Sequence, residues 1–317
     1  MSTRRIIFMG TPEFAVATLD ALIDAGMDVA AVITAPDRPA GRGKKLQSSA
    51  VKQRASQLGL PILQPEKLKD PAFIAELDRI DASLYMVVAF RMLPEVVWNE
   101  PALGTVNLHA SLLPAYRGAA PINWAIINGE RTTGVTTFRI QHEIDTGDIL
   151  LQEEMPIGAE ETAGELHDRM MHTGSQLMVR TVNGLFDGTL RPRPQSWPHT
   201  TPPPIAPKID SITCRINWDR SVREVHDLIR GMSPYPGAWC RLLVNDGSMH
   251  FKILRSRIGG APSDQRPGSV RIEHGSMWIA CNDGMLEAIE VQPEGKRRMA
   301  AVEFLRGMRA PDAIHAE

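Results

Sequence analysis

The stretch Val106-Asn107-Leu108-His109-Ala110-Ser111-Leu112-Leu113-Pro114 decides how the rest of the sequence is interpreted. Thr105 to Leu108 has the character of the end of a buried strand, and the two-residue period of a strand places Asn107 and His109 on the same face. In open α/β sheets, ligands bind beyond the carboxyl ends of the strands. The stretch therefore predicts a sheet that delivers two polar side chains to a site where the strand gives way to Ser-Leu-Leu-Pro.

A second polar segment, Glu143-Ile144-Asp145-Thr146-Gly147-Asp148, lies between predicted strands at 134–140 and 149–155. Clusters of Asp and Gly between strands are most often plain turns, and spacing alone does not choose between Asp145 and Asp148. A lone histidine is likewise most often an ordinary core or surface residue. An amide, an imidazole and a carboxylate together, however, can stabilise an oxyanion, move a proton and orient the proton carrier. Acyl transfer between two nitrogens requires that chemistry.

The N-terminal third predicts a parallel sheet. Residues 5–9 form a short apolar strand, Gly10-Thr11-Pro12 a turn, residues 13–24 a helix and residues 29–33 the next strand. The dinucleotide fingerprint G-x-G-x-x-G is missing after this first strand, so nicotinamide binding is disfavoured. Further helices are predicted at 71–80 and 162–186, with a strand at 82–88.

Length and composition set limits on the class of protein. A chain of 317 residues favours about two domains. A net charge of −2 argues against general attraction to nucleic acid, although an average can hide a local patch. The three cysteines are far apart and odd in number, which predicts buried thiols and no zinc site. No apolar run approaches membrane-spanning length, so a cytosolic, soluble protein is expected.

A local basic patch does occur in residues 37–54, a stretch rich in Gly and Pro at its start. After Asp37 no acid accompanies its cations, which are Arg38, Arg42, Lys44, Lys45, Lys52 and Arg54. This composition fits a solvated surface loop, the usual fate of a charge run, and it fits equally a loop that contacts phosphates. Composition leaves both interpretations open.

The C-terminal part has a different character. Residues 191–204 contain six prolines and predict an extended linker. Short β-type runs separated by turns follow from residue 205 onward and predict a small barrel. Lys252, Arg255 and Arg257 are interspersed with Ile253, Leu254 and Ser256 along one of these strands and form a possible phosphate-facing row. We place the domain boundaries at 1–190, 191–204 and 205–317.

The spaced combination of Asn-x-His, Ser-Leu-Leu-Pro and Asp-Thr-Gly-Asp resembles the formyltransferases that use 10-formyltetrahydrofolate. The similarity is greatest to the group that acts on methionyl-tRNA, and it extends from Ile6-Ile7-Phe8-Met9-Gly10-Thr11-Pro12-Glu13-Phe14-Ala15 to Ser233-Pro234-Tyr235-Pro236-Gly237-Ala238. The resemblance implies a Rossmann-like, mostly parallel sheet domain followed by a small OB-like β-barrel domain. It also implies formyl transfer to initiator methionyl-tRNA in translation initiation, with 10-formyltetrahydrofolate as co-substrate and no metal.

The resemblance assigns roles to particular positions. Asn107, His109 and Asp145 correspond to the catalytic residues. The folate site corresponds to the turn after the strand at 82–88 and to the Ser-Leu-Leu-Pro loop, with the residues Phe90, Arg91, Leu93, Ser111, Leu112, Leu113, Pro114 and Asp145. In such enzymes a basic insertion enters the acceptor end of the tRNA, which implies RNA contacts by Arg38, Arg42, Lys44 and Lys45, and the barrel adds Lys252 and Arg255. Arg117 either holds the folate tail or faces solvent. We expect a monomer that does not bind membranes.

Two alternatives remain at this point. A related enzyme that formylates an amino sugar nucleotide or glycinamide ribonucleotide would keep the catalytic residues and need neither the basic loop nor an RNA-facing barrel. A non-catalytic RNA-binding protein on the same scaffold would need no folate. The intact polar constellation disfavours this second alternative.

Overall fold

A computed structural model of the chain describes residues 4–40, 45–245, 247–259, 265–308 and 314–317. The chain forms two compact units. One runs to Gly118 and adds Gly134–Met155 and His167–Ile205; the other consists of Ala119–Thr133, Pro156–Leu166 and the chain from Ala206 onward. Within the described ranges, no helix has both the length and the apolar character needed to cross a membrane.

Strands and helices alternate through the first half of the chain. In chain order they are β1 (Arg5–Gly10), α1 (Glu13–Asp24), β2 (Asp28–Ile33), β3 (Arg38–Ala40), β4 (Lys45–Gln47), α2 (Ala50–Gln57), β5 (Ile62–Leu63), α3 (Pro71–Ile80), β6 (Leu84–Val88), α4 (Glu95–Trp98), β7 (Thr105–His109), β8 (Arg117–Gly118), α5 (Pro121–Ile127), β9 (Thr132–Arg139), β10 (Ile149–Pro156) and α6 (Ala163–Phe186).

The main sheet of the first unit has the strand order β10-β9-β7-β6-β1-β2-β5. The pairs from β5 through β2, β1 and β6 to β7 are parallel, whereas β7 and β9 pair in the antiparallel sense. The predicted Rossmann-like, mostly parallel sheet is confirmed. β7, the strand of the Asn-x-His sequence, lies where parallel pairing changes to antiparallel pairing.

Local signals explain why several of these elements begin where they do. Ser49 caps α2 by accepting a hydrogen bond from the Lys52 backbone N–H at 3.0 Å, and Asp70 caps α3 ahead of Pro71 in the first turn. At Gly10, a Cβ would lie 2.6 Å from the Cβ of Ala15. Glycine is therefore required where β1 turns into α1, because a side chain there would collide with the helix.

The second unit is built mainly from antiparallel strands. Its C-terminal elements are β11 (Ile205–Ala206), α7 (Val222–Gly231), β12 (Ala238–Val244), β13 (Gly247–Ile258), β14 (Val270–Glu273), β15 (Ser276–Ala280), β16 (Met285–Pro293), β17 (Met299–Ala300), α8 (Ala301–Arg306) and β18 (Ile314–Ala316). The sheet order is β14-β15-β16-β13-β12-β18, and a bridge between Ser269 and His315 joins its two ends. The sheet is thus a nearly closed barrel, as predicted.

The barrel core includes one face of α7. Val225 and Ile229 of that helix are buried in one cluster with Phe251 and Ile253 of β13. Ser221 and Glu224 form a capping box that fixes the start of α7. This helix therefore covers part of the barrel interior and is held at its first turn by reciprocal hydrogen bonds.

Residues 119–133 and 156–166 belong to the second unit because α7 bonds to both. Asn123 donates to the Gly231 carbonyl at 2.7 Å, and Arg230 donates to the carbonyls of Gly158 and Glu161. The predicted boundaries at 1–190, 191–204 and 205–317 treat the domains as contiguous in sequence. They remain a prediction, whereas the compact units interleave along the chain.

The proline-rich segment at 191–204, which we predict to be an extended linker, bonds to the first unit at several residues. Arg193 and Ile149 exchange backbone hydrogen bonds of 2.8 and 2.9 Å, and Gln195 bonds to the loop between β9 and β10. The segment consequently lies along the first unit and is bonded to it. Proline restricts the backbone but does not prevent the neighbouring residues from pairing.

All three cysteines are free and buried, as predicted. Burial raises the pKa of the Cys240 thiol to about 12, and burial together with Asp283 raises the pKa of Cys281 to about 12. These thiols are unreactive packing residues.

Candidate active site

The site begins on β7. Asn107 and His109 both lie in this strand, two residues apart, so their side chains leave the same face of the sheet. Asn107 pairs with Val87 of β6 and with Phe138 of β9. The ring of Phe138 meets the imidazole of His109 edge-on, with the ring centroids 6.4 Å apart. The sequence-based placement of the two polar residues on one face is confirmed.

The imidazole of His109 is buried and held by a backbone carbonyl. Only 7% of its side chain is exposed, and Nε2 lies 2.9 Å from the Tyr116 carbonyl oxygen. A carbonyl oxygen can only accept, so Nε2 carries a proton and donates it there. Nδ1 lies 3.8 Å from Oδ2 of Asp145, which is beyond hydrogen-bond range. Nδ1 is therefore the ring nitrogen that faces the carboxylate and remains available to a substrate.

The segment Tyr116-Arg117-Gly118 links the histidine to the carboxylate. Its first residue accepts from His109, and the N–H of Gly118 donates to Oδ2 of Asp145 at 2.9 Å. Tyr116 and Gly118 have φ values of 60° and 124°, and the Tyr116 N–H donates to the Pro204 carbonyl at 2.6 Å. A bulky residue in the left-handed region is uncommon and is held there by its surroundings.

The loop between β9 and β10 brings Asp145 to this segment. Asp145 has a φ of 55° and its side chain is only 13% exposed. Two residues later, a Cβ on Gly147 would lie 1.7 Å from the Arg139 carbonyl oxygen. Only glycine fits there, so the Asp-Thr-Gly-Asp sequence is required by the shape of the loop as well as by its carboxylate. The sequence could not distinguish Asp145 from Asp148; the structure brings Asp145 to His109.

Sequence reasoning missed Gln195. Its amide nitrogen donates to the carbonyls of Asp145 and Gly147, each at 2.8 Å. Its oxygen accepts from Nε and Nη2 of Arg117 at 3.1 and 2.6 Å. The guanidinium of Arg117 thus bonds to Gln195, and contact of Arg117 with the folate tail stays a prediction. No local signal marks this contact, since the bonded residues lie about 50 and 80 positions apart in the chain.

Asn107 differs from its neighbours in having an unengaged side chain. Asn107 is half-buried in the middle of β7. Its side-chain amide makes no hydrogen bond to any residue in the described ranges. Buried polar groups normally have partners. A half-buried amide without one, on the same face as His109, is available to bind a ligand.

The Ser-Leu-Leu-Pro loop is shaped by Thr136 and Gln152. Oγ1 of Thr136 donates to the Ser111 carbonyl and accepts from the Leu113 N–H, while Gln152 donates to the Leu113 carbonyl at 2.9 Å. The Ser111 hydroxyl donates to the Ala115 carbonyl at 2.6 Å. Of the residues predicted to contact folate here, Ser111, Leu113 and Pro114 are buried and Leu112 is half-buried.

The turn after β6 lies beside this loop, because Val88 of β6 pairs with Leu108 of β7. Ala89 has a φ of 46°. Among the predicted folate contacts, Phe90 is half-buried and Leu93 is buried in a core cluster. Arg91 donates to the carbonyls of Pro65 and Glu66 and lies over the Phe90 ring; burial and the nearby Arg38 lower its pKa. The turn offers mainly backbone and apolar groups.

Known family models and relatives match most of the chain. Residues 4–182 match the model of the formyl transferase family, and residues 208–309 match its C-terminal domain. The chain is 50% identical to methionyl-tRNA formyltransferase of Parabacteroides distasonis over 310 residues, which cover 96% of each chain. The corresponding protein of Flavobacterium johnsoniae is 47% identical and covers 98% of each chain. The chain belongs to the methionyl-tRNA formyltransferase family.

Solved structures show the same fold at lower identity. HypX from Aquifex aeolicus in complex with tetrahydrofolic acid aligns with a TM-score of 0.64 at 16% identity, over 95% of this chain and 46% of that one. The N-formyltransferase from Helicobacter canadensis, in complex with folinic acid and dTDP-3-aminofucose, aligns with a TM-score of 0.63 at 19% identity, over 89% of this chain and 98% of that one. Members of the methionyl-tRNA formyltransferase family thus share their fold with sugar N-formyltransferases.

The described residues on either side of 41–44 in the basic stretch of this family member form two short paired strands. β3 and β4 pair as an antiparallel hairpin, with Arg38 opposite Gln47. Arg38 is exposed, and Lys45 lies in β4. Arg42 and Lys44, which were predicted to contact RNA, lie outside the described residues.

Two cations at the C-terminal end of this stretch are paired. Lys52 bonds to Asp37 and Arg54 bonds to Asp20, each at 2.6 Å. Asp37 therefore pairs with a lysine of the same stretch, while the acid that meets Arg54 comes from α1.

The predicted cationic row on β13 is also engaged within its own unit. Lys252 donates to the Pro236 carbonyl at 2.7 Å. Arg255 pairs with Glu165 and Glu290, and Arg257 lies 3.4 Å from Glu287. RNA contact by Lys252 and Arg255 remains a prediction.

Across the described ranges, no three His, Cys, Asp or Glu side chains come together as metal ligands.

Proposed function

We propose that this chain transfers the formyl group of 10-formyltetrahydrofolate to the α-amino group of initiator methionyl-tRNA. The observation that carries the proposal is the arrangement of His109 between the Tyr116 carbonyl and the Asp145 carboxylate, beside the unengaged amide of Asn107. The full-length similarity to methionyl-tRNA formyltransferases supports methionyl-tRNA as the acceptor. The fold shared with structures that hold folates supports the donor.

In the proposed reaction, the neutral α-amine attacks the formyl carbon, and negative charge develops on the formyl oxygen. The Asn107 amide and Nδ1–H of the His109 imidazolium donate hydrogen bonds to that oxygen. Nδ1 can do so because its separation of 3.8 Å from Asp145 leaves its proton without a strong hydrogen bond. Each donor of this kind contributes about 3 to 4 kcal/mol of transition-state stabilisation.

Asp145 faces Nδ1 of His109 and orients the ring. The Tyr116 carbonyl fixes the other ring nitrogen. The proton lost by the attacking amine is matched by the proton gained by N10 of the folate as the C–N10 bond breaks. His109, Asp145 and water supply the route for this transfer. The products are the formylated amine and tetrahydrofolate, and no covalent enzyme intermediate is required.

The folate is proposed to bind between the turn after β6 and the Ser-Leu-Leu-Pro loop. Phe90, Leu93, Leu112, Leu113 and Pro114 supply apolar surface, while the side chains of Arg91 and Ser111 shape their own loops through bonds to backbone carbonyls. We propose that main-chain groups of these two loops recognise the pterin.

The acceptor end of the tRNA is proposed to contact the β3–β4 hairpin. Arg38 and Lys45 lie on the hairpin strands, and Arg42 and Lys44 come from the segment between them. Neutralising phosphates releases counterions and positions an RNA without reading its sequence. Lys252 and Arg255 would add contacts on the barrel, provided that Arg255 exchanges its carboxylate partners for phosphate. We propose that the protein acts as a cytoplasmic monomer.

The test is formyl transfer from 10-formyltetrahydrofolate to three acceptors in parallel: charged initiator methionyl-tRNA, an amino sugar nucleotide and glycinamide ribonucleotide. We expect transfer to the tRNA alone. Transfer only to a small amine would overturn the assigned acceptor but would agree with the proposed chemistry of formyl transfer. Failure to bind any folate would overturn the enzymatic proposal as a whole.

A further inference from the structure

We propose that Gln195 is a positioning residue that sets the distance between the Asp145 carboxylate and His109. This inference rests on the proposed function, because it concerns the rate of the formyl-transfer step. Gln195 lies in the proline-rich segment, which sequence reasoning treated as a linker. The structure instead ties this residue to the loop that carries the carboxylate.

The hydrogen bonds of Gln195 are complete and fix its orientation. An amide has two donor positions on nitrogen and two acceptor positions on oxygen. Here the nitrogen donates to the carbonyls of Asp145 and Gly147, and the oxygen accepts twice from Arg117. Carbonyl oxygens only accept and guanidinium groups only donate, so the reverse orientation of the amide would break all four bonds.

These bonds close a ring of contacts around the reacting groups. Arg117 lies between Tyr116, which holds Nε2 of His109, and Gly118, which holds Oδ2 of Asp145. Gln195 connects the side chain of Arg117 to the backbone of Asp145. The two ends of the 3.8 Å gap between His109 and Asp145 are thereby attached to one short segment of chain.

The backbone at Asp145 needs such support. Its φ of 55° lies in the left-handed region, which costs a non-glycine residue free energy. The amide of Gln195 binds the carbonyl of this same residue and the carbonyl two residues later. Removing the amide leaves both carbonyls to water and allows the loop to move, and a misplacement of about 1 Å at a catalytic group lowers rates by about 100-fold.

Three variants and one matched control test the role. Gln195→Ala removes all four bonds. Gln195→Glu keeps an acceptor for Arg117 but loses both donors to the loop. Arg117→Ala removes the two donors to the Gln195 oxygen. Gln292→Ala is the control, because Gln292 likewise donates to a backbone carbonyl, that of Lys296, but lies in β16 of the barrel.

We expect Gln195→Ala and Gln195→Glu to lower kcat by about 10- to 100-fold, while KM for both substrates stays within about twofold. Arg117→Ala should lower kcat less, and the double variant with Gln195→Ala should be no worse than Gln195→Ala alone, because the two residues act through one contact. A KM rise at unchanged kcat, or a Gln195→Glu enzyme as active as the parent, would overturn the proposal.

A readout without substrates separates this inference from the proposed function. The ¹⁵N chemical shifts of the His109 imidazole report the protonation of each ring nitrogen. At neutral pH, Gln195→Ala should shift these signals from the native positions toward those of Asp145→Asn, whereas Gln292→Ala should leave them unchanged. Native positions in Gln195→Ala would refute the positioning role. Absence of formyl transfer by the parent chain would count against the proposed function alone.

Discussion

Nε2 of His109 donates a 2.9 Å hydrogen bond to the carbonyl oxygen of Tyr116. This contact occupies Nε2, so Nδ1 is the ring nitrogen that faces Asp145. It depends on a left-handed backbone at Tyr116, with φ at 60°. The loop after Ser-Leu-Leu-Pro therefore determines which ring nitrogen of His109 faces the carboxylate.

We predict that the negative charge of Asp145 is essential for turnover and that the charge of Asp148 is dispensable. Asp145→Asn keeps the shape of the side chain and an oxygen for the Gly118 N–H, but removes the negative charge that faces Nδ1 of His109. We expect kcat to fall by at least about 100-fold. Asp148→Asn is the matched control in the same loop and should keep kcat within about twofold. An equal loss of kcat in the two variants would show that the charge of Asp145 has no specific role in turnover.

Gly147 is predicted to tolerate no side chain. A Cβ there would lie 1.7 Å from the Arg139 carbonyl oxygen, so Gly147→Ala must shift the loop that carries Asp145. We expect a loss of about 1 to 3 kcal/mol in unfolding free energy from urea titration and a large drop in kcat. Gly307→Ala is the control, since its nearest atom would lie 3.5 Å away in ordinary contact. Native kcat in Gly147→Ala would contradict the described loop.

Arg42 is predicted to bind phosphate, although it lies outside the described residues. Arg42→Ala should raise KM for the tRNA, spare folate binding and reduce the slope of log(kcat/KM) against log[salt] by about 1. Arg54→Ala is the control within the same basic stretch, because Arg54 is already paired with Asp20 at 2.6 Å. An unchanged salt slope in Arg42→Ala would show that Arg42 does not bind phosphate of the tRNA.

His226 is predicted to make the second unit less stable in acid. Its side chain is 3% exposed. Burial lowers its pKa, outweighing Glu160 and Asp227, and Nε2 lies 3.5 Å from Oε2 of Glu160. The unfolded chain therefore binds the proton more readily, so stability is full above about pH 6.5 and falls below it by up to about 1.4 kcal/mol per pH unit.

Thermal unfolding between pH 7.5 and 5.5 checks this expectation. His226→Gln should lose less stability over that interval than the parent chain. His274→Gln replaces an exposed histidine of the same unit and should behave like the parent. A parent-like loss in His226→Gln would assign the acid sensitivity to other groups.

Local signals were sufficient for much of the fold and for the placement of Asn107 and His109 on one face of the sheet. The bounds predicted for α1 and α3 match the structure, because each helix has a proline or cap at its start and a clear apolar face. The Asn107 and His109 pair followed from the strand period alone. The choice of Asp145 over Asp148 needed the resemblance, because both carboxylates lie in one turn.

Contacts distant in sequence could not be predicted. Gln195 lies 50 positions from Asp145 in a segment without periodicity, and the Arg117 contact spans 78 positions. The β3–β4 hairpin was hidden by the prolines and glycines that usually mark irregular loops. In each case the deciding energy comes from partners that a local pattern does not contain.

The most direct test of the account is single-turnover formyl transfer from 10-formyltetrahydrofolate to initiator methionyl-tRNA, measured for the parent chain and His109→Ala side by side. We predict efficient formylation by the parent chain, and a rate lower by about 100- to 1,000-fold in a His109→Ala protein that unfolds at the parent temperature. An inactive parent chain, or a His109→Ala protein that formylates at the parent rate, would contradict the account.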